Sequence, residues 1–401
     1  MSEAAGQARG STPFEVFVAF LRLGVTCFGG PIAHIGYFRD AFVEKRGWLG
    51  EAQFAQIVAL CQLLPGPASS QVGFAIGLRR AGALGGLAAW LGFTMPSALL
   101  MLAFAYAAPA VAAQPLGVGV LHGLKLAAVA VVAQAAWSMA RSLAPDRTRA
   151  AIAAAAAAFC LFAAPAVAQI GAICAGAVAG LAFCRSKDAT TAAGDALVWP
   201  VSRAAGLACI VIVAALFVVG LADGSGELSL FGAFYRSGAL VFGGGHVVLP
   251  LLRGAVVSPG WVSQGDFLSG YGAAQALPGP LFSFAAFLGA VSKVGPGGAA
   301  GGVIALVGIF LPGLLLVVAA IPFWSRLQRL PLAQASLRGV NAAVVGILAA
   351  ALYDPVWTTS VTTHLDFAVA LAATVLLTAW RAPPLVVVAL CAVTGAAMGV
   401  R

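Results

Sequence analysis

The chain has 401 residues, of which 61% are hydrophobic and 9% are charged, with a formal net charge of +9. A soluble domain carries about 25% charged residues, so this composition excludes an ordinary soluble protein and indicates that a lipid bilayer surrounds the chain. The basic residues lie mostly in short loops, as membrane topology favours, and the sequence has no basic–aromatic patch suited to nucleic acid.

Apolar segments of roughly spanning length follow one another in two sets of six, since ~20 apolar residues cross a bilayer. The first set covers 14–33, 53–78, 83–108, 116–140, 150–165 and 167–184. The second covers 231–252, 267–290, 298–322, 337–353, 366–380 and 384–400, and a further segment at about 204–222 joins the sets. We predict an N-terminal cytoplasmic tail (1–13), a first membrane repeat (14–184), a linker with an extra transmembrane helix (185–230) and a second repeat (231–401).

The two sets form an internal repeat. Phe28-Gly29-Gly30 matches Phe242-Gly243-Gly244, and Leu64-Pro65-Gly66-Pro67 matches Leu277-Pro278-Gly279-Pro280. Single residues also match in order, namely Arg22 with Arg236 and Gln62 with Gln275, and a histidine, His34 or His246, follows each glycine pair. Six crossings return the chain to its starting side and the linker helix reverses it, so the second half is predicted to be inverted, as in many secondary transporters. The predicted fold is an all-α polytopic membrane protein with two homologous six-segment halves and broken helices.

Loop charges favour a cytoplasmic N-terminus, because the basic loops, such as the one with Arg79 and Arg80, then lie inside. One loop disagrees, since a fully crossing first segment would place Arg39, Lys45 and Arg46 outside. Two alternatives remain open: this stretch lies along an interface, or the first segment does not fully cross. The LPGP segments could likewise be re-entrant hairpins.

Three cations lie within predicted segments: Arg22, Arg236 and Lys125. A cation at the bilayer centre costs at least ~2.5–3.5 kcal/mol on insertion scales, and no Asp or Glu lies deep in a predicted segment to pair with it. In one interpretation the arginines snorkel to an interface or donate to broken backbone. In the other, the missing counter-ion is a dianionic substrate, for which the guanidinium fork is well suited.

The glycine and proline motifs predict interrupted helices, whose restarted ends offer free N–H groups and a positive dipole to an anion. The candidate substrate-binding positions, besides the three cations, are Gly29, Gly30, Gly243, Gly244, Pro65, Gly66, Ser69, Pro278 and Gly279. His34 and His246 are candidates for binding the anion or carrying a proton, and Gln62 and Gln275 for donating to it. Each of these four could instead be a structural hydrogen-bonding residue.

Together these motifs resemble the chromate transporter (CHR) family, in its two-domain form. The resemblance covers nearly the whole chain and is carried by the stretches Phe28–Arg39, Arg46–Leu49, Leu64–Pro67, Phe242–Leu252, Gly260–Val262 and Phe267–Phe282. It implies a secondary transporter that exports chromate from the cytoplasm across the bacterial inner membrane and confers chromate resistance, with sulfate as analogue or competitor. Charge and spacing alone indicate only a dianionic oxyanion.

Two other functions stay open, namely transport of sulfate or another oxyanion, and membrane-bound chromate reduction. A reductase would need a redox cofactor, and the sequence has no haem or flavin motif and no paired cysteines. It also has no phosphate-binding loop for ATP. We therefore predict a carrier rather than an enzyme, without cofactor or metal, driven by a proton gradient or the membrane potential. A homodimer is one option for its assembly.

Overall fold

The computed structural model describes residues 12–28, 30–163, 165–185, 199, 201–221, 226–242, 245–324 and 330–399. These residues form helices joined by short turns, with no strand among them, which confirms the predicted all-α class. Four helical stretches are long and apolar enough to cross a membrane: Ala68–Ala112, Pro115–Leu143, Gly298–Phe323 and Pro331–Ser360.

The helices repeat in order across the two halves. The first half comprises α1 (Pro13–Thr26), α2 (Gly30–Arg39), α3 (Glu51–Leu63), α4 (Ala68–Ala112), α5 (Pro115–Leu143), α6 (Arg147–Phe162) and α7 (Pro165–Phe183). Helix α8 (Arg203–Val219) follows as the linker. The second half comprises α9 (Glu227–Ala239), α10 (Val248–Leu252), α11 (Gln264–Gln275), α12 (Phe284–Val291), α13 (Gly298–Ala320), α14 (Pro331–Ala351), α15 (His364–Thr378) and α16 (Pro384–Gly399). Short 3₁₀ or π-helical turns extend several of them, including Asp40–Lys45 after α2, Arg253–Val257 after α10 and Leu352–Trp357 after α14.

The first predicted segment of the first half is a hairpin rather than one continuous helix. The ring of Phe20 in α1 lies 5.5 Å from that of Phe38 in α2 and 4.7 Å from that of Phe42 just beyond it. In a continuous helix, residues 20 and 42 would lie about 33 Å apart, at 1.5 Å per residue. The chain therefore reverses between α1 and α2, at the FGG motif, which agrees with the alternative that the first segment does not fully cross.

The second predicted segment reverses at its LPGP motif. Gly66 has a φ of +124°, which favours glycine, and the flanking prolines lack the N–H groups that would continue a helix. Arg79 donates a 3.3 Å hydrogen bond to Gln53, which places the end of the first arm of α4 beside the start of α3. That arm ends at Ala81 and Gly82, whose backbone angles are not helical.

The second half repeats this arrangement. The N–H of Lys293, after α12, donates to the carbonyl of Trp261, before α11, at 2.9 Å. Helix α9 likewise packs against α10. Each half thus contains two helical hairpins, α1–α2 and α3–α4 in the first and α9–α10 and α11–α12 in the second, and their tips carry the repeated motifs.

The tips of the two halves meet through a matched pair of hydrogen bonds. The Gly66 N–H donates to the Val241 carbonyl at 2.7 Å, and the Gly279 N–H donates to the Cys27 carbonyl at 2.9 Å. Cys27 and Val241 each precede an FGG motif, so each LPGP tip binds the FGG tip of the other half. This reciprocity brings the four motifs to one place between the halves.

The halves also exchange helix pairs. Helices α6 and α7 of the first half pack on α14 of the second, and α15 and α16 pack on α5 of the first. Glycines permit the close approach, because a Cβ added to Gly123 would overlap the Cys391 carbonyl and one added to Gly339 would overlap the Gly176 carbonyl. The two repeats therefore fold as a single interlocked unit.

Candidate functional site

A cavity of about 750 Å³ lies between the two halves. Its inner end is formed by residues at the hairpin tips, namely Gly30, His246 and Gln275, and its wall by the C-terminal part of α5 and the turn between α15 and α16. Arg141, in the last turn of α5, and Arg381, in that turn, also line it. The full lining is Gly30, Val131, Gln134, Trp137, Ser138, Arg141, His246, Gln275, Leu377, Thr378, Arg381, Ala382, Pro383 and Pro384. No carboxylate stands among these residues.

Polar groups at the inner end are held by the second half. Nδ1 of His246 lies 2.7 Å from the hydroxyl of Tyr271, a fully buried residue of α11. Nε2 of Gln275 is buried near the Tyr271 hydroxyl and makes no hydrogen bond of good geometry within the described ranges. A buried amide donor without a partner is costly, so this group is suited to an acceptor that enters the cavity.

Helix α2 contributes its N-terminus to the same end. It begins at Gly30, which has a φ of +77° and no heavy atom within 4 Å of the position of an added Cβ. The first N–H groups of a helix lack intrahelical partners and carry a partial positive charge. The cavity thus combines a helix start, an amide donor and a histidine at one end with two guanidinium groups along its lining.

The LPGP glycines support the tips rather than lining the cavity. A Cβ on Gly66 would lie 2.9 Å from Nε2 of Gln71 and 3.0 Å from Cα of Gly313, and one on Gly279 would lie 2.9 Å from Oγ of Ser97. Ser69, in the first turn of α4, is buried. Pro65 and Pro278 frame the same two turns and are half-buried.

The predicted intramembrane cations are not brought into the cavity. The side chain of Arg22 is exposed, that of Arg236 is partly exposed, and neither has a hydrogen bond or ion pair to another described residue. Lys125 lies beside the start of α11, with Nζ 3.4 Å from the position of a Cβ on Gly265. A role for these three in substrate binding therefore stays a prediction.

The two histidines and the two glutamines occupy unequal positions. His34 is buried against the ring of Phe93, at 5.2 Å, and its ring lies near the backbone of Cys27 without a hydrogen bond of good geometry to a described residue. Gln62 is exposed. Neither Gln62 nor His34 lines the cavity, whereas His246 and Gln275 do. Gly29, Gly243 and Gly244 lie outside the described residues.

Sequence reasoning missed three residues near the site. Gln71 is fully buried, and its Nε2 donates to the carbonyls of Pro65 at 2.9 Å and Gly313 at 3.0 Å, which ties the first LPGP tip to α13. A polar residue four positions after the LPGP motif, in an apolar segment, was a usable signal. Arg141 and Arg381 carried no such signal, because loop arginines are explained equally well by membrane topology.

The chain is similar in sequence to known proteins. The chain matches the family model described as chromate transporter in two blocks, residues 14–181 and 228–396. It is 31% identical to the chromate transport protein of Pseudomonas aeruginosa, over 85% of this chain and 80% of that protein. It is 28% identical to the probable chromate transport protein of Synechococcus elongatus, over 83% of this chain and 82% of that protein. It is 27% identical to the chromate transport protein of Cupriavidus metallidurans, over 84% of this chain and 81% of that protein. No solved structure gives a significant match.

Proposed function

The chain belongs to the chromate transporter family, and on that premise we propose that it exports chromate from the cytoplasm across the inner membrane and so confers resistance. The observation that carries this proposal is the cavity between the halves, which has two arginines, an unpartnered buried amide and no carboxylate in its lining. Such a lining suits a dianionic tetrahedral oxyanion and disfavours a metal cation, which needs oxygen ligands.

Recognition would rest on donors at the inner end of the cavity. Gln275 donates through its free Nε2, and the N-terminus of α2 at Gly30 supplies N–H groups and the positive end of the helix dipole. His246 donates through Nε2 in the tautomer in which Nδ1 accepts from the Tyr271 hydroxyl. An oxyanion offers several acceptor oxygens at once, so these groups can act together.

The hairpins support a cytoplasmic N-terminus. If neither hairpin of the first half crosses, Arg39, Lys45 and Arg46 lie on the same side as Arg79 and Arg80, and the earlier conflict in the loop charges disappears. The second arm of α4 and helix α5 then make two crossings, which returns the mouth of the cavity to that side. We therefore propose that the cavity is open to the cytoplasm.

The membrane potential can drive this export. Moving two negative charges outward across an inside-negative potential of 100 mV is downhill by about 4.6 kcal/mol. Proton coupling is therefore not required for net efflux.

Flux into inside-out membrane vesicles tests the proposal. Chromate should accumulate with the potential as driving force, and Gln275→Ala should reduce uptake at least tenfold because the cavity loses its free amide donor. Gln114→Ala, an exposed change between α4 and α5, is the matched control. Absence of chromate uptake by the wild-type protein contradicts the proposal, and uptake of sulfate alone would favour the alternative substrate.

A further inference from the structure

Arg141 and Arg381 differ from several other basic residues of the loops. Arg39 and Lys45 form ion pairs with Glu44, Glu51 or Asp40, and Arg149 pairs with Asp146. Arg141 and Arg381 are exposed and have no hydrogen bond or ion pair to any other residue that the structure describes. Their charge is therefore not neutralised by the protein.

The backbone at Arg381 adds an independent observation. It is the one non-glycine residue with a positive φ, +54°, in the described ranges. A turn just after a helix usually places glycine in this left-handed conformation, since other residues adopt it at a cost. The turn is closed by a 2.9 Å hydrogen bond from the Ala382 N–H to the Leu376 carbonyl. An arginine is thus present where glycine would suit the backbone better, and its side chain lies on the cavity wall.

The pair of exposed arginines is not reproduced by the internal repeat. The corresponding pocket of the other face is smaller, about 260 Å³, and is lined by the turn between α6 and α7, by α14 and by the segment Pro250–Ser258. That turn has no basic residue and Trp357 stands at the repeat position of Arg141, but the pocket lining includes Arg253, whose Nε has no partner among the described residues, together with the carboxylate of Asp354. The second pocket thus has one arginine and one carboxylate in its lining, whereas the cavity has two exposed arginines and no carboxylate.

We propose that Arg141 and Arg381 form a capture site at the cavity mouth that selects divalent oxyanions and passes them to the hairpin tips. This inference rests on the proposed function and adds the residues that set the affinity for the incoming anion. Two guanidinium groups attract a dianion more strongly than a monoanion, and exposed charges act over about 10 Å at 0.1 M salt. The opposite pocket has one arginine and one carboxylate in its lining, so capture of a dianion is favoured at the mouth that has two arginines and no carboxylate.

The test is chromate uptake into inside-out vesicles as a function of chromate and salt concentration. In the double variant Arg141→Gln/Arg381→Gln, KM should rise at least tenfold while the maximal rate changes less than twofold. The increase of KM with salt seen for the wild type should flatten, because the screened charges are gone. Arg141→Lys keeps the positive charge and should therefore keep most of the wild-type affinity for chromate. If the role of Arg141 were purely structural, the affinity would not depend on whether the charge is kept.

Two further variants keep the test independent of folding. Arg203→Gln removes one exposed charge at the start of α8, outside the cavity lining, and should leave KM within twofold. Arg381→Gly should raise the melting temperature, because glycine relieves the positive φ, and yet raise KM. A double variant with a KM within twofold of the wild type, or an Arg381→Gly protein with unchanged affinity, overturns the inference. A wild-type protein that carries no chromate would instead refute the proposed function.

Discussion

Two glycines, Gly66 and Gly279, hold the centre of the molecule together. Each adopts a positive φ, +124° and +90°, and each donates its N–H to the opposite half. Neither position has room for a side chain, since an added Cβ would lie 2.9 Å from Gln71 in one case and from Ser97 in the other. Conformation and packing therefore both require glycine at the LPGP tips, and the hydrogen bonds require a residue other than proline.

We expect Gly66→Ala and Gly279→Ala each to lower stability by at least about 1–3 kcal/mol, the usual cost of a residue held in such a backbone conformation. The measurement is thermal unfolding in detergent. Gly36→Ala is the control, because Gly36 lies within α2 with no atom near an added Cβ, and there alanine should be neutral or stabilising by up to ~1 kcal/mol. Equal effects at the three positions would contradict the tip assignment.

At this scale the sequence predicted the residues whose requirement is local. The LPGP glycines and prolines were identifiable because backbone chemistry alone marks them, and Gly30, His246 and Gln275 do line the cavity. The contribution of Arg141 and Arg381 depends on which helices meet, and no local pattern encodes that. The repeat also suggested that matched residues act alike, but Gln275 is in the cavity and Gln62 is not.

Helices α5 and α15 are joined across the two halves by a buried carboxylate. Asp366, in the first turn of α15, is 1% exposed and lies 2.7 Å from Nε2 of His122 in α5. It also accepts hydrogen bonds from the N–H and hydroxyl of Thr362 and from the N–H of Thr363. One side chain thus caps α15 and fixes it against α5. In the sequence it is only a charge at the end of a segment, because its burial depends on α5, whose His122 lies 244 residues earlier in the chain.

Asp366→Ala should lower the free energy of unfolding by about 3 kcal/mol, since it removes one member of a buried charged network. The check is chemical or thermal unfolding of the detergent-solubilised protein. The neighbouring His364→Ala, at an exposed position without described contacts, should change stability by less than ~0.5 kcal/mol. If the free energy of unfolding changed by the same amount in both variants, the hydrogen bonds of Asp366 to the start of α15 and to His122 would contribute little to stability.

At the scale of the whole molecule, the halves are related by the reciprocal contacts of their tips and by the exchange of helix pairs. The sequence predicted two repeated halves of apolar helical segments, and the four stretches long enough to cross a membrane overlap those segments, because apolar length is a strong signal in a membrane protein. It left open whether the first two segments cross, because a hairpin and a span can have the same composition. The contacts between Phe20 and Phe42, and between Arg79 and Gln53, are what distinguish them.

Cysteine labelling from one side of the membrane tests the resulting topology in a variant that lacks the seven native cysteines. Ala52→Cys and Pro145→Cys should react from the same side, and Ala113→Cys from the opposite side. A first segment that crosses fully would place residues 52 and 145 on opposite sides instead. All three positions are exposed, so accessibility itself does not bias the comparison.

The packing of α16 on α5 bears on how the chain is made. Gly119 and Gly123 form a groove in α5 that is filled by the backbone at Gly395 and Cys391, close to the last residues of the chain. During synthesis, α5 enters the bilayer long before α16 exists, so this groove must stay covered by lipid or by the insertion machinery until α16 has been made. The first half consequently cannot reach its final packing before this part of the second half has been synthesised.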